Sequence, residues 1–371
     1  MIIGIDGNEA NITNRVGIGA YAYELLMHFS KLVVQEIEFV IYLKNRPLPD
    51  FPKENNNWKY RVIKPGRMWT QGRLPLDLYL HRPRPEVFFS PSHYGPRFSP
   101  VPSIISVMDL SFLYFPELFN KHDLIQLKNW TSYSVKKAKK IITISNSSKN
   151  DIIKEYGVAP ERVSVTYPGI RKFTSLKPHV YGMTQLKTKY KLEGKYILFV
   201  GTIQPRKNIG KLIEAFSKLS EKNLDLVIVG KKGWLYEEIL KKPLELGIEE
   251  RVRFLHNVDN DELPILYKNA VCMVLPSLYE GFGLPVLEAM KNECPVVASN
   301  VSSLPEAGGD ACLYIDPENV DDITDKMTKL IDDEKLRKEL IEKGKKQVAK
   351  FSWEKTAKET LNVLEEIGGK L

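Results

Sequence analysis

Short apolar runs rich in β-branched residues alternate with amphipathic stretches along this chain. The pattern predicts strands at 2–5, 39–43, 87–89, 104–107, 141–144, 163–166, 196–200, 226–229, 252–255, 271–275, 296–298 and 312–315. Helices are predicted between them, at 19–32, 121–137, 148–156, 209–219 and 263–268. Buried strands joined by helices are typical of βαβ units and parallel sheets. The predicted fold class is therefore α/β.

The pattern restarts half-way along the chain, and 371 residues exceed the usual size of one hydrophobic core. Residues 167–194 lack apolar periodicity and contain several prolines and glycines, as a connector does. We therefore predict a Rossmann-like N-terminal domain over 1–175 and a Rossmann-like C-terminal domain over 176–350. A final helix, within 351–371, has an apolar stripe that either domain could cover; we expect the N-terminal one.

Positive charge is concentrated in the first half. The formal net charge of the chain is +8, yet residues 1–175 alone hold 24 Lys and Arg against 15 Asp and Glu. This asymmetry fits an anionic partner of the N-terminal half, such as a lipid headgroup, a diphosphate-linked acceptor or nucleic acid. An ordinary solvated basic surface explains it equally well.

Targeting and redox features favour the cytoplasm. The N-terminus, MIIGIDGNEAN, lacks the basic start and long apolar centre of a signal peptide, and no apolar run reaches the length of a membrane span. The three cysteines are an odd number without CxxC spacing, which argues against a disulfide framework or a zinc site. We expect a cytoplasmic protein.

The sharpest motif is LPSLYEGFGLPVLEA, which runs from residue 275 to residue 289. A strand ends at Pro276, a glycine-containing loop carries Glu280, and Pro285 fits the first position of a helix whose first turn holds Glu288. Glycines let backbone N–H groups approach a ligand, and carboxylates accept hydrogen bonds from sugar hydroxyls. A Glu in a first helical turn is also ordinary complementation of the helix dipole.

A second candidate loop, over 201–208, joins a predicted strand to a helix and contains Arg206 and Lys207. This topology binds diphosphates in open α/β sheets. The alternative is a pair of solvent-exposed cations, which would oppose the helix dipole.

The two glutamates, with seven residues between them that include GFGLP, resemble the E-X7-E signature of the retaining family 4 glycosyltransferases. The segments VGTIQPRKN from residue 200, YKNA from residue 267 and ASNVSSLPE from residue 298 are similar to other blocks of that family, in the same order. The resemblance implies the GT-B fold, in which two Rossmann-like domains with parallel sheets face each other across a central cleft.

The resemblance also implies a set of site residues. Glu288 would bind the nucleotide ribose, Glu280 the transferred sugar, and Arg206 and Lys207 the diphosphate. The predicted catalytic residues are Glu280, Asp109, Lys207 and Arg206. The predicted donor-binding residues are Gly17, Gly19, Gly201, Arg206, Lys207, Gly230, Val258, Glu280, Gly281, Phe282, Gly283, Leu284 and Glu288.

The first half matches the family less closely. Gly17 and Gly19 resemble its glycine-rich loop, although such a pair also occurs in tight turns. Asp109 lies in a block that usually has His before the Asp, where this chain has Met108. His93 is the alternative histidine, or a loop residue without a special role.

Together these features predict a retaining hexosyltransferase that uses a nucleoside-diphosphate sugar, with GDP-mannose as the first candidate donor. No metal or other cofactor is expected. The predicted acceptor is a glycan or a polyprenyl-diphosphate-linked precursor, reached through peripheral contact of the basic domain with the anionic inner face of the membrane. The alternatives are a GT-B nucleotide-sugar epimerase and a basic nucleic-acid-binding protein.

Overall fold

The computed structural model describes residues 1–32, 36–171, 182–192 and 194–369. The chain divides into two compact units. Unit 1 comprises Met1–Gly169 together with Phe351–Leu371, and unit 2 comprises Ile170–Lys350. The predicted boundary between residues 175 and 176 lies outside the described residues. No helix within the described ranges is long and apolar enough to cross a membrane.

Unit 1 is built on a parallel sheet that has seven strands among the described residues, in the order β3-β2-β1-β4-β5-β6-β7. The strands are β1 (Ile2–Asp6), β2 (Glu38–Leu43), β3 (Trp58–Val62), β4 (Val87–Ser90), β5 (Ser103–Ser106), β6 (Lys140–Thr143) and β7 (Val163–Val165). Its first helices are α1 (Ile18–Phe29), α2 (Leu74–Leu80), α3 (Ser111–Tyr114), α4 (Lys121–Lys137) and α5 (Asn146–Tyr156).

Unit 2 repeats this architecture, with six parallel strands in the described ranges, ordered β10-β9-β8-β11-β12-β13. The strands are β8 (Lys195–Val200), β9 (Leu224–Val229), β10 (Val252–Leu255), β11 (Cys272–Leu275), β12 (Val296–Ser299) and β13 (Cys312–Ile315). The helices are α6 (Met183–Tyr190), α7 (Ile209–Ser217), α8 (Glu237–Glu245), α9 (Leu263–Asn269), α10 (Leu284–Lys291), α11 (Leu304–Gly308), α12 (Val320–Asp332) and α13 (Glu334–Val348).

The last helix, α14 (Trp353–Gly368), returns to unit 1. Its apolar stripe of Trp353, Ala357, Leu361 and Leu364 is buried in the same core as α1 and the centre of the first sheet. The approach is close: a Cβ atom on Gly169 would lie 2.2 Å from the backbone nitrogen of Trp353. Glycine is thus required where the end of the first segment of unit 1 meets its returning helix.

Candidate active site

The sheet order of unit 2 fixes where a ligand site is expected. Strand order reverses between β8 and β11, because β9 and β10 lie on one side of β8 and β12 and β13 lie beyond β11. In open α/β sheets, ligands bind outside the carboxyl ends of the strands at such a switch point. The loops over 201–208 and 276–283 follow β8 and β11 directly, so the two candidate loops of the sequence meet there.

The start of α10 differs from the prediction by one residue. Gly283 is the N-cap with φ 111°, Leu284 is the first helical residue, and Pro285 occupies the second position rather than the first. The left-handed backbone of Gly283 turns the chain one residue earlier than expected. Consequently Glu288 lies in the second turn of α10. Complementation of the helix dipole is weaker there than in the first turn.

The loop after β8 does not expose its two cations. Residues Pro205–Lys207 form a 3₁₀ turn, and Asn208, with φ 55°, leads into α7. Only 8% of Lys207 is exposed, and 14% of the Arg206 side chain. The alternative of two solvated cations at a helix start is therefore wrong.

Both cations converge on the carboxylate of Glu280. Lys207 Nζ donates to Oε1, which also accepts a hydrogen bond from the Ser277 hydroxyl at 2.7 Å. Arg206 lies 3.4 Å from Oε2 and also donates to the backbone carbonyl of Tyr279. Two cations against one carboxylate leave the cluster with a net positive charge, which suits an additional anion.

The charge state of Glu280 follows from this cluster. Burial acts to raise the pKa of its carboxyl, but the charges of Lys207 and Arg206 and the hydrogen bonds from Lys207 and Ser277 lower the pKa to about 2. Glu280 is therefore ionised throughout the physiological range, and its Oε2, with one long contact, retains lone pairs for a ligand hydroxyl.

Two serines that the sequence did not single out hold the backbone of Glu280. The Glu280 N–H donates to the Ser302 hydroxyl at 2.9 Å, and the Ser303 hydroxyl donates to the Glu280 carbonyl at 2.8 Å. They precede α11 in a Ser-Ser-Leu-Pro segment, a pattern of helix starts that could have drawn attention to them. Ser277 was missed as well.

Glu288 has a different environment. The hydroxyl of Tyr267 donates to Glu288 Oε2 at 3.2 Å. Burial raises the pKa of the Glu288 carboxyl to about 7, although Tyr267, Arg171 and Lys291 act to lower it. The two glutamates of the motif therefore differ in protonation: one is firmly ionised and the other titrates near neutral pH.

This raised pKa makes stability depend on pH. The folded state favours protonated Glu288 more than the unfolded state does. The free energy of unfolding therefore decreases as pH rises from about 4.5 to about 7. We expect Glu288→Gln to stabilise the protein by about 2–3 kcal/mol more at about pH 8 than at about pH 4.5. Urea unfolding of both proteins at the two pH values measures this; a difference independent of pH would contradict it.

The loops after β8 and β9 touch backbone to backbone. A Cβ atom on Gly230 would lie 1.9 Å from the carbonyl oxygen of Gly201, and the Gly201 N–H donates to the carbonyl of Val229 at 2.9 Å. Gly230 also donates to the carbonyl of Leu255 at 2.9 Å and accepts from His256 Nδ1 at 3.0 Å. Val258 follows two residues later, so the predicted base-binding positions lie at neighbouring strand ends.

Gly230→Ala is expected to lower the free energy of unfolding by about 3 kcal/mol, because the atoms it would meet belong to backbone and cannot move aside. Gly210→Ala is the matched control. Gly210 lies in α7 with open space around its Cβ position, so alanine there should stabilise by about 0.5–1 kcal/mol. Thermal and urea unfolding measure both; equal effects would refute the role given to the close approach.

The remaining residues of the motif have structural surroundings. Gly281 and Gly283 are buried, Leu284 is partly exposed, and Phe282 is only 3% exposed. A Cβ atom on Gly283 would lie 2.7 Å from the side chain of Leu304. Contact of Phe282 with a ligand would therefore be made by its backbone.

Unit 1 holds the other predicted site residues. Gly17, with φ 51°, is the N-cap of α1, and a Cβ atom on Gly19, in the first turn of that helix, would lie 2.9 Å from the carbonyl oxygen of Glu9. The local backbone therefore favours glycine at both positions, and their contact with the donor stays a prediction. Asp109 Oδ1 accepts from the Ser111 N–H at 2.8 Å. The side chain of Met108 is buried in the core.

His93 lies beside the departure at Met108. The residue is 7% exposed, and Nε2 accepts a hydrogen bond from the Met108 N–H at 3.2 Å. Burial lowers the pKa of His93, although the Asp109 charge opposes this. The ring is therefore a neutral support for the backbone at Met108.

Comparison with known proteins decides the family. Residues 184–347 match the sequence profile described as Glycosyl transferases group 1, and residues 16–172 match Glycosyltransferase Family 4. O-antigen chain mannosyltransferase B from Escherichia coli is 31% identical over 366 residues, which cover 93% of this chain and 95% of that protein. The chain belongs to the family 4 glycosyltransferases.

A further relative and two solved structures are also similar to this chain. O-antigen chain mannosyltransferase RfbU from Salmonella typhimurium is 31% identical over 58% of this chain and 57% of its own length. Sucrose-phosphate synthase from Thermosynechococcus elongatus has a TM-score of 0.75 at 17% identity, with full coverage of both chains. Anabaena HepE in complex with UDP-glucose has a TM-score of 0.72 at 16% identity, covering 98% and 99%. These structures show the GT-B fold.

For this glycosyltransferase, the described residues contain no group of three or more His, Cys, Asp or Glu side chains placed to hold a metal ion. The acidic pairs of the C-terminal part belong to helix caps and ion pairs: Asp321 contacts Lys218 at 2.7 Å, Asp322 contacts Lys326 at 3.0 Å, and Asp333 caps α13. Membership of this family favours a transferase over the epimerase and nucleic-acid-binding alternatives.

Proposed function

We propose that this enzyme transfers mannose from GDP-mannose, with retention of anomeric configuration, to a glycan or a polyprenyl-diphosphate-linked acceptor. The observation that carries the proposal is the cluster of Arg206, Lys207 and Glu280 at the switch point of unit 2. The mannosyltransferases among its relatives support the choice of sugar.

The net positive cluster would bind the donor diphosphate. Developing negative charge on the departing nucleoside diphosphate is stabilised best by cations already fixed in a site of low dielectric constant. Lys207 and Arg206 meet this requirement because Glu280 and the carbonyl of Tyr279 hold them in place. Glu280 would in turn offer Oε2 to a hydroxyl of the transferred sugar.

Because two protein cations meet the diphosphate charge, we propose that transfer needs no metal or other cofactor. Activity should persist at full rate after exhaustive treatment with EDTA. A loss of activity that Mg²⁺ or Mn²⁺ restores would defeat this part of the proposal.

Glu288 would accept hydrogen bonds from the ribose hydroxyls, while Gly230 and Val258 would lie near the base. Ribose hydroxyls favour the ionised carboxylate, so GDP binding near pH 7 should release a proton as the pKa of Glu288 falls from about 7. Titration calorimetry in two buffers of different ionisation enthalpy measures this release. Glu288→Gln should abolish it and weaken binding; proton release that survives the substitution would assign it to another group.

The donor is tested by thermal shift across GDP-, UDP-, ADP- and CDP-sugars, because a ligand selective for the native state raises apparent stability. GDP-mannose is expected to give the largest shift, and UDP-glucose is the comparison donor because it occupies the HepE structure. NMR of the product formed with GDP-mannose then reads the anomeric configuration. An inverted product, or no shift with any donor, would refute the proposal.

The basic charge of the first half supports an anionic acceptor environment and peripheral contact with the anionic inner face of the membrane, which would place the enzyme in the cytoplasm. The acceptor is tested by comparing transfer to a soluble glycan with transfer to a polyprenyl-diphosphate-linked glycan. Preference for the lipid-linked acceptor is expected. Transfer to the soluble glycan alone would refute the proposal of a polyprenyl-diphosphate-linked acceptor.

A further inference from the structure

Most of the excess positive charge of unit 1 comes from one stretch of the chain. Residues 59–84 contain seven Lys and Arg and a single acidic residue, Asp77. That carboxylate is already matched, since Arg61 contacts both of its oxygens at 2.5 and 2.6 Å. Lys59 is matched from outside the stretch, by Glu38 of β2 at 2.9 Å. The remaining five cations form no ion pair in the part of the chain that the structure describes.

This stretch forms the edge strand β3 and helix α2, with a groove between them. Two adjoining depressions of about 350 and 290 Å³ share Arg61 and His81 in their walls. We use the name β3–α2 surface for the face lined by Lys59, Arg61, Arg73, Leu76, Leu80 and His81. Glu38 and Asp77 also lie in these walls, where they pair with Lys59 and Arg61, so the excess positive charge of the lining comes from Arg73.

Apolar side chains stand out from the same face. Leu76 is 51% exposed, Tyr79 47% and Leu80 74%, while Leu74 and Leu78 on the other side of α2 are buried in the core. Helix α2 thus buries one apolar face and leaves three apolar side chains about half exposed or more on the other, with the Arg84 guanidinium 5.9 Å from the centre of the Tyr79 ring. Exposed leucines beside clustered cations are typical of helices that lie in a membrane interface.

The cations at the end of α2 are held in place by the backbone. Arg82 and Arg84 both donate to the carbonyl oxygen of Tyr79, at 2.8 and 2.7 Å. Their charges therefore stay beside Leu80. A fixed basic rim around exposed apolar side chains combines the two attractions that peripheral proteins use at anionic lipid.

We propose that the β3–α2 surface docks onto an anionic phospholipid bilayer, with Leu76 and Leu80 entering the headgroup region and the surrounding Lys and Arg side chains facing anionic headgroups. A second copy of the chain fits less well, because a two-fold contact would set this positive surface against itself. Nucleic acid would use the cations but leave the leucines exposed to water. This proposal rests on the peripheral membrane contact of the proposed function and names the surface that makes it. Sugar transfer is measured without vesicles, so a failure to dock would leave the assignment of the donor intact.

Flotation of the full chain with vesicles, without donor or acceptor, tests the proposal. Binding is expected with equimolar phosphatidylcholine and phosphatidylglycerol, little binding with phosphatidylcholine alone, and a marked loss at high salt. A basic side chain near an anionic surface contributes about 1 kcal/mol, or about fivefold. Arg73→Glu, a change of two charges, should therefore lower the partition coefficient about 25-fold, and Leu76→Ser with Leu80→Ser about 10-fold or more.

Matched controls lie in unit 2. Lys222→Glu makes the same charge change at another exposed position, and Leu244→Ser removes a leucine that is 69% exposed; neither should weaken binding. Equal binding to neutral vesicles, or equal losses in Arg73→Glu and Lys222→Glu, would overturn the proposal. So would sedimentation showing a dimer that the Leu76 and Leu80 substitutions dissociate while vesicle binding is kept.

Discussion

Lys207→Met is expected to lower kcat for sugar transfer by about 10²–10³-fold, while the protein remains folded. Methionine keeps most of the volume of the buried side chain but removes the cation that donates to Glu280 Oε1. Loss of one fixed group that stabilises developing charge typically costs about this factor in kcat. The proposed loss falls on turnover because charge grows on the diphosphate as the sugar departs.

The measurement is steady-state transfer with saturating donor, alongside the thermal midpoint of each protein. Lys211→Met is the control. Lys211 lies in the first turn of α7, four residues after Lys207, and its ammonium group donates to the carbonyl of Glu318 instead of to Glu280. We expect it to retain full turnover. If Lys207→Met raised KM for the donor with kcat unchanged, Lys207 would bind ground state and transition state alike, and the catalytic role would be refuted.

The strands that sequence reasoning located share a simple origin. β8, β9, β11 and β12 are largely buried parallel strands, so they occur as mainly apolar runs between turn residues. The predicted positions of all six strands from β8 to β13 agree with the structure within two residues. β3 was missed because the strands were sought as apolar runs, and two of the five residues of Trp58–Val62 are the cations Lys59 and Arg61. α2 was missed because seven residues containing Pro75 provide too little periodicity.

The candidate site was predictable in its residues but not in its contacts. The spacing of Glu280 and Glu288 singled out both positions, and the loop over 201–208 singled out both cations. The contacts of Lys207 and Arg206 with Glu280 could not be predicted from local sequence. These residues lie 73 and 74 positions from Glu280 and are brought together by the order of the strands. The raised pKa of Glu288 likewise depends on burial that a local pattern does not specify.

The first unit shows the opposite case. Met108 marked a departure from the family block, and the structure buries its side chain in the core while His93 supports its backbone. Sequence could flag this difference but could not tell whether another side chain compensated for it, since His93 precedes Met108 by 15 residues. In this unit the sequence identified the unusual residue, but the side chains that surround it could be found only in the structure.

Glu280→Ala is expected to lower the free energy of unfolding by about 3–5 kcal/mol, because it leaves the buried Lys207 without its carboxylate. Glu280→Gln should cost less, since an amide oxygen still accepts hydrogen bonds from Lys207 and Ser277. Both variants should also lose turnover, so stability is the quantity that separates a fixed ion cluster from a sugar ligand alone.

The sign of the pH dependence follows from the lowered pKa. The stabilisation by ionised Glu280 is present above its ordinary pKa of 4.5 and disappears as pH falls towards about 2, so the cost of Glu280→Gln should shrink over that range. Urea unfolding at neutral and acid pH measures this. In a double-mutant cycle, Lys207→Met combined with Glu280→Ala should be more stable than Glu280→Ala alone, because the buried Lys207 charge that the carboxylate matched is removed together with it. Strictly additive costs would show that the two side chains do not stabilise each other, and would remove the physical basis for a fixed cationic cluster.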